Sequence, residues 1–412
     1  MSFPAFIALL AGLTLLYRVY THQTPPKATP PKVANTTTVT KESNYPQDYL
    51  ISPQTFSLEH RAIFSKTWIP LSHTTHFPKP GSYSTYTLPN APLVLIKGKD
   101  HVIRAFHNVC RHRAYPVTRR ECGSSTVLAC RYHGWSYNTL GELIKAPAFD
   151  GVEGFEREVN GLFEVGVRVG GEGIVWVNVE VKGEGEGREE GGMDVKGLEG
   201  ILRGNKIEMG SGLVGGGVVE GGFNWKVALR RSYLEIALGL EDQNQGYLSF
   251  LQNVLRYFQR KPESIYLFPN AFLFTIPSLG CWLYLSFLPY SERMTSVRFD
   301  LYSQGGEKDQ ASQFLLSNLE IKIKTIVSDL ETEYQSCIDA SDPTSILSDL
   351  DQESSGTQIQ ILSLLKAHTK LEKFHGEEIY PARREPRRNT NYEQAEQLCK
   401  ELEFGDSKCL AW

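Results

Sequence analysis

The sequence predicts an α+β chain, with an all-β unit in its first half and an antiparallel sheet backed by long helices in its second. Three observations carry this. Between Tyr83 and Tyr137 apolar residues recur with period two, broken by short turns. From Ser264 to Tyr302 four runs rich in aromatic and β-branched residues follow one another. After them Leu315, Leu319, Ile323, Ile326, Leu330, Tyr334 and Cys337 step by four and three, the stripe of a long amphipathic helix. Strands followed by helices, rather than alternating with them, place the second half in the α+β class.

The elements follow in order. Tyr45 to Pro70 reads as a helical lead-in whose apolar face is Ile63, Phe64 and Trp68. His73 and His76 follow it; no carboxylate or cysteine nearby in sequence completes a metal site with them, and His60 is a packing or surface residue. Strands are expected over Tyr83–Leu88, Leu93–Lys97 and Val102–Phe106, with turns at Pro89–Pro92 and Gly98–Asp100. Val127–Ala129 and Trp135–Tyr137 extend the sheet, and Asn138–Gly141 closes a hairpin. Gly173–Val179 is one more strand. Residues 182–222 are dense in glycine and acid, which raises the entropic cost of ordering, and read as a flexible insertion between domains. A helix is expected over Trp225–Leu240, strands over Ser264–Phe268, Ala271–Ile276, Trp282–Leu288 and Thr295–Tyr302, and later helices over Ile359–Phe374 and Tyr392–Leu402.

The all-β unit contains two short boxes, Cys110-Arg111-His112 and Cys130-Arg131-Tyr132-His133, with seventeen residues between them. Each box offers one thiolate and one imidazole. Two sulfurs and two nitrogens suit structural zinc, but zinc fingers keep cysteines in one box and histidines in the other. Mixed boxes suit a two-iron cluster with thiolates on one iron and imidazoles on the other. Cys122, between the boxes, lacks their pattern and reads as a loop thiol. With Gly134-Trp135-Ser136-Tyr137 directly after the second box, the stretch NVCRHRAYPV…CRYHGWSY resembles the Rieske iron–sulfur proteins, and within them the oxygenase branch.

Composition sets bounds on partners and compartment. A net charge of -4 gives no sign of a nucleic-acid partner. Arg111, Arg113, Arg119 and Arg120 gather around the boxes, suiting either redox-partner docking or solvation. Of the seven cysteines, the five outside the boxes show no disulfide framework, which fits a reducing, cytosol-facing compartment. The apolar run from Phe3 to Tyr17 reads as an N-terminal membrane anchor or targeting segment over residues 1–20, followed by a Pro/Thr-rich linker over 21–44. A soluble cytoplasmic or organellar protein is the alternative.

The second half, through GGFNWKVAL, YLE and YLFPNAFLFTI, resembles the catalytic domain of Rieske non-heme iron oxygenases, of the choline monooxygenase-like and aromatic-ring-hydroxylating branches. The resemblance implies a Rieske [2Fe-2S] domain over 45–181 with Cys110, His112, Cys130 and His133 as cluster ligands, then a helix-grip (START-like) antiparallel-sheet domain over 223–405. It implies one Fe(II) on two histidines and a carboxylate, a small organic substrate (a choline-like amine or an aromatic ring) with O2, an NAD(P)H-dependent reductase or ferredoxin, and a homo-oligomer, a trimer by family. Glu235 falls where the family's acid links cluster and iron, and Asp329 is the candidate carboxylate ligand, beside Glu331 and Glu333. Leu238 and Gln243 stand where two histidines belong, and the sequence has no histidine between His133 and His368. The mononuclear ligands are therefore missing from their expected places, and the alternative function is a cluster-only electron-transfer protein or an inactive homologue. Tyr266, Phe268, Phe272, Phe274, Trp282 and Tyr284 are candidates for an aromatic cage around a quaternary amine, or else core.

Overall fold

A computed structural model describes residues 45–89, 91–180, 210–239, 264–304, 310–339, 344–347 and 352–380, with isolated positions between 200 and 204. The chain enters through helix α1 (Pro53–Glu59), which starts sharply because Ser52 caps it, its hydroxyl accepting from the Thr55 amide at 3.2 Å, and Pro53 needs no amide partner in the first turn. A π-turn over His60–Phe64 continues it and buries Ile63 and Phe64.

Ten strands then build the first half. They are β1 (Ile69–His73), β2 (Ser82–Leu88), β3 (Ala91–Lys97), β4 (Ile103–His107), β5 (Cys122–Ser124), β6 (Val127–Ala129), β7 (Ser136–Asn138), β8 (Leu143–Lys145), β9 (Glu164–Val169) and β10 (Ile174–Asn178). Seven form an antiparallel sheet in the order β1-β10-β9-β4-β3-β2-β5, and β6-β7-β8 make a separate small meander. The expected strands of the first half are all present; β1, β5, β8 and β9 are additions, of which β9 carries a period-two row of Val165, Val167 and Val169 that the sequence reading passed over.

The second sheet runs β11-β15-β14-β13-β12, from β11 (Gly212–Gly221), β12 (Ser264–Leu267), β13 (Ala271–Ile276), β14 (Cys281–Pro289) and β15 (Thr295–Ser303). β11 corrects the expectation of a flexible insertion over 182–222. Residues 181–199 lie outside the described residues, but 212–221 are an ordered strand paired along β15. Its glycines serve close approach: a Cβ on Gly216 would stand 2.3 Å from the Phe299 carbonyl oxygen and 2.2 Å from the Asp300 carboxylate. The expected helix over 225–240 is also corrected. Asn224 caps a 3-10 turn at Trp225–Ala228, the chain straightens at Arg230, and only Arg231–Ala237 is α-helical (α2).

Alternation divides the second sheet's two faces. Phe272, Phe274, Leu283 and Leu285 pack toward α3 (Gln310–Ile338), whose buried row of Leu319, Ile323, Ile326, Leu330, Tyr334 and Cys337 is the stripe read from the sequence. Ile361 and Leu365 of α4 (Gln352–His375) close the same core. Trp282, Tyr284, Leu273 and Tyr302 face the other way and meet Trp68, Ile174 and Trp176 of the first half. Of the six aromatics considered as a cage, Phe272 and Phe274 thus lie on one face of this sheet with half-buried Tyr266, and with Phe268 of the following turn, while Trp282 and Tyr284 lie on the other.

Polar contacts lock this seam. Tyr284 donates to the Pro70 carbonyl at 2.8 Å, and Tyr86 donates to Ser72 at 2.6 Å beneath the Arg298 guanidinium. His76 Nε2 lies 3.1 Å from Asp300 Oδ2, in the space that Gly216 leaves open. His73 and His76 are therefore seam residues. His73 Nδ1 accepts from the Thr75 amide at 3.3 Å, so its proton sits on Nε2 and is donated to the Glu172 carbonyl at 3.1 Å. Burial holds the His73 imidazole down at about 4, because the neutral ring is the one this pocket solvates.

A second lock joins the lead-in to the second half. Glu59 and Lys226 form an ion pair with side chains 0% and 1% exposed, and the Trp225 indole donates to the other Glu59 oxygen at 2.7 Å. Burial lowers the Lys226 pKa, and the Tyr49 ring lies 4.5 Å from its ammonium.

No helix among the described residues is long and apolar enough to cross a membrane, which overturns the membrane-anchored placement expected from the sequence. The Phe3–Tyr17 run is short of the roughly twenty residues a span requires. The expected anchor and linker, residues 1–44, lie outside the described residues, as do Gln243 and the helix expected over Tyr392–Leu402.

Lys226→Met should destabilise the chain by roughly 3–5 kcal/mol in chemical denaturation, since it strands a buried carboxylate, and adding Glu59→Gln should restore much of that loss. His73 should make stability fall with acid. Its folded pKa lies below the unfolded value, so its contribution is complete above pH 6.5 and drains away as pH falls toward about 4. Thermal midpoints of His73→Gln measured across that window should be flatter than those of the wild type.

Candidate metal centre

The two boxes sit on two loops at one end of the first half, between β4 and β5 and between β6 and β7. Both loops close the same way. The Cys110 amide donates to the Tyr115 carbonyl at 2.7 Å and the Ala114 amide returns to the Cys110 carbonyl at 3.0 Å; Cys130 with Trp135 and Gly134 repeats this at 2.8 and 2.9 Å. The fourth residue after each cysteine is left-handed, Ala114 at φ 54° and Gly134 at φ 72°. Asn108 anchors the first loop from outside, its amide donating to the Thr118 carbonyl at 2.8 Å and its carbonyl oxygen accepting from the Thr118 amide at 3.0 Å.

These closures turn four side chains to one place. Cys110 and Cys130 are buried and close enough to interact, and that mutual interaction is the largest cause of a shift in both, raising the Cys110 pKa and lowering that of Cys130. The rings of His112 and His133 lie 4.5 Å apart at 71°. His112 is buried, stacked on Trp135 at 5.0 Å with Phe149 at its edge, while His133 is half-buried beneath Tyr132. Two thiols side by side and two imidazoles side by side are the donor set a histidine-ligated two-iron cluster takes. Each iron then has two protein ligands, and among the described residues no group of three or more His, Cys, Asp or Glu is placed to hold a single metal ion.

Tyr137, read from the sequence only as part of the stretch after the second box, is a direct neighbour of the thiols. Its oxygen accepts from the Arg111 amide at 3.0 Å, which leaves its hydrogen to point at Cys110 Sγ, 3.3 Å away. Its spacing, seven residues after Cys130, carries no signal by itself. Cys122, expected as a loop thiol, is instead exposed at the start of strand β5.

The mononuclear iron site is another matter. Glu235 is half-buried on α2, its carboxylate held by Arg231 at 3.1 Å and by Ser264. Leu238 is buried as an apolar side chain. Asp329 is exposed on α3, Glu331 accepts from the Gly222 amide at 2.7 Å, and Glu333 forms a two-pronged pair with Arg230 at 2.8 and 2.5 Å. His368 is on α4, bonded at 3.1 Å to the Glu372 carboxylate that also holds Arg61. Among the described residues, those at the expected positions do not fit a two-histidine, one-carboxylate iron.

Residues 67–156, which contain all four box residues, match the Rieske [2Fe-2S] domain family. The chain is 37% identical over 114 residues to the carnitine monooxygenase oxygenase subunit of Acinetobacter baumannii, covering 28% of this chain and 31% of that protein. It is 40% identical over 92 residues to the benzene 1,2-dioxygenase subunit alpha of Pseudomonas putida, covering 22% and 20%. The chain thus spans about a third or less of the curated relatives it matches. Its fold is that of a solved quaternary ammonium Rieske monooxygenase, at a TM-score of 0.56 and 20% identity over 78% of this chain and 94% of the other.

Tyr137→Phe should lower the reduction potential of the reconstituted centre by roughly 40 mV for each ~1 kcal/mol by which the lost hydrogen bond favours the reduced form. Protein-film voltammetry reads that shift directly.

Proposed function

We propose that this chain, which carries a Rieske [2Fe-2S] domain within the fold of a Rieske oxygenase alpha subunit, relays single electrons from an external donor toward a non-heme iron oxygenase site that hydroxylates a small organic molecule. The observation that carries this reading is the convergence of Cys110, Cys130, His112 and His133 from two loops of identical closure. A bound cluster supplies one-electron chemistry at a potential raised by imidazole ligation. The chain's residues supply the rest. Cys110 and Cys130 would hold one iron as thiolates, and His112 and His133 would hold the other through their imidazoles. Trp135 and Phe149 keep water from the buried side, and Tyr137 donates to the Cys110 sulfur. His133, half-buried, is the ring nearer solvent and the exit for the electron.

The substrate class favoured by the relatives is a quaternary ammonium compound, with an aromatic ring second, and O2 as co-substrate. An NAD(P)H-dependent reductase or a ferredoxin is the electron source, and a homo-oligomer, a trimer by family, is the assembly. Inter-subunit electron transfer in the solved quaternary ammonium Rieske monooxygenase supports such an assembly. One observation favours a second reading, a cluster-only relay: no histidine lies between His133 and His368, so the second half offers no imidazole where the family's iron is held.

Iron and sulfide analysis after anaerobic reconstitution tests both. About two irons and two sulfides per chain fit the relay, and about three irons fit an oxygenase. His112→Ala and Cys130→Ala should each abolish the histidine-ligated signal; a signal that survives both refutes the ligand assignment.

A further inference from the structure

A groove separate from the two boxes lies between α1 and α4. Pro46, Tyr49, Leu58, Leu362 and Leu365 give it apolar walls around about 410 Å³, a volume within the roughly 300–1,000 Å³ of small-molecule sites. Two threonines also line it, but their hydroxyls are taken: Thr369 donates to the Leu365 carbonyl at 2.9 Å and Thr55 to the exposed Asp48 carboxylate at 3.5 Å. The walls therefore suit an apolar chain rather than a polar one. On the α4 side they run from Leu362 to Lys373, about 16 Å at the rise of a helix, so a chain lying there is elongated.

The rim carries charge of one sign. Lys366, Lys370 and Lys373 line the groove at helical spacings of four and three, all exposed, and none forms an ion pair among the described residues. The one acid of α4 beyond Gln358 is Glu372, and Arg61 holds it at 2.6 Å. Lysine in a last helical turn complements the helix dipole, which accounts for Lys373 but leaves Lys366 and Lys370 without that role. Lysine stems can lie along apolar walls while their ammonium groups stay in water. We propose that this groove binds a long-chain carboxylate, a fatty-acid-type anion whose chain lies over Leu58, Leu362 and Leu365 and whose head is held by the lysines. The inference does not depend on the electron-relay reading above. Binding would also tighten the join behind it: Tyr49, one wall of the groove, donates to Gln358 at 3.1 Å and lies against the Lys226 ammonium of the buried Glu59 pair.

The test uses the delipidated full chain with laurate as the probe. Dodecylammonium, of equal chain length and opposite charge, is the control, and both are kept below their micelle concentrations. Calorimetry reads affinity, and thermal unfolding reads stabilisation. Laurate should bind saturably, raise the thermal midpoint and weaken with added salt. Its affinity should fall roughly two- to fourfold for each methylene removed. Dodecylammonium should bind at least about tenfold more weakly. Lys366→Glu/Lys370→Glu should weaken laurate binding at least about tenfold and abolish the preference for the anion. The uncharged Lys366→Gln/Lys370→Gln should weaken it in the same direction by at least about threefold, with a ligand-free midpoint like that of the wild type. Equal affinity for the two amphiphiles, or wild-type laurate affinity in both variants, overturns the assignment. So does a wild type that leaves laurate unbound, the result expected if a second copy or another segment of this chain fills the groove.

Discussion

Everything in the first half is arranged so that two loops can each bend a cysteine and a histidine toward one point. Neither residue type has an apolar reason to meet its counterpart, so the backbone makes the geometry. A carbonyl five residues on takes each cysteine amide, and a left-handed residue one step earlier closes the turn. Cys-x-His and Cys-x-x-His differ in length, yet the reciprocal bonds give both the same frame. The small core around them, Val117, Leu128, Trp135, Tyr137 and Phe149, packs against these loops and fixes where they stand. A loop set this tightly keeps ligand geometry when a charge arrives, which is what fast one-electron transfer needs.

The second half is tied to this unit by an unusual share of polar seam contacts. Asp300, His76, His73, Tyr86 and Arg298 lie between two sheets, each with a partner within reach. Glycine on β11 makes that possible, since any side chain at Gly216 would occupy the Asp300 carboxylate's place. On its other side the sheet is sealed by α3 and α4, and the Glu59–Lys226 pair pins the entering chain across the join. The fold resembles that of a solved Rieske monooxygenase, while the described positions expected to hold a mononuclear iron carry ion pairs, an apolar side chain and a solvent-facing acid.

Much of this was legible in the sequence, and the reasons for the rest are physical. Strands with alternating apolar residues and the four-and-three stripe of α3 were read close to their bounds, because burial of one face imposes the period. β11 was not, since glycine carries no side chain to show which face is inward. The helix over 225–240 was read too long, because capping by Asn224 and the turn at Leu229 are local backbone events inside a helix-like pattern. The four box residues stand out by spacing alone. Tyr137, Ala114 and Asn108 do not, because their roles depend on which atoms the fold brings near them. The aromatic runs, read as a cage or else core, pack as core: each i, i+2 pair keeps to one face, and the register sets Trp282 and Tyr284 on the face opposite Phe272 and Phe274.

The most direct measurement is nitrogen hyperfine spectroscopy on the anaerobically reconstituted, one-electron-reduced chain. The account predicts an iron–sulfur signal strongly coupled to two directly bound nitrogens, abolished in His112→Ala and in His133→Ala. A reduced centre with no strongly coupled nitrogen, or no paramagnetic iron–sulfur signal at all, would contradict it.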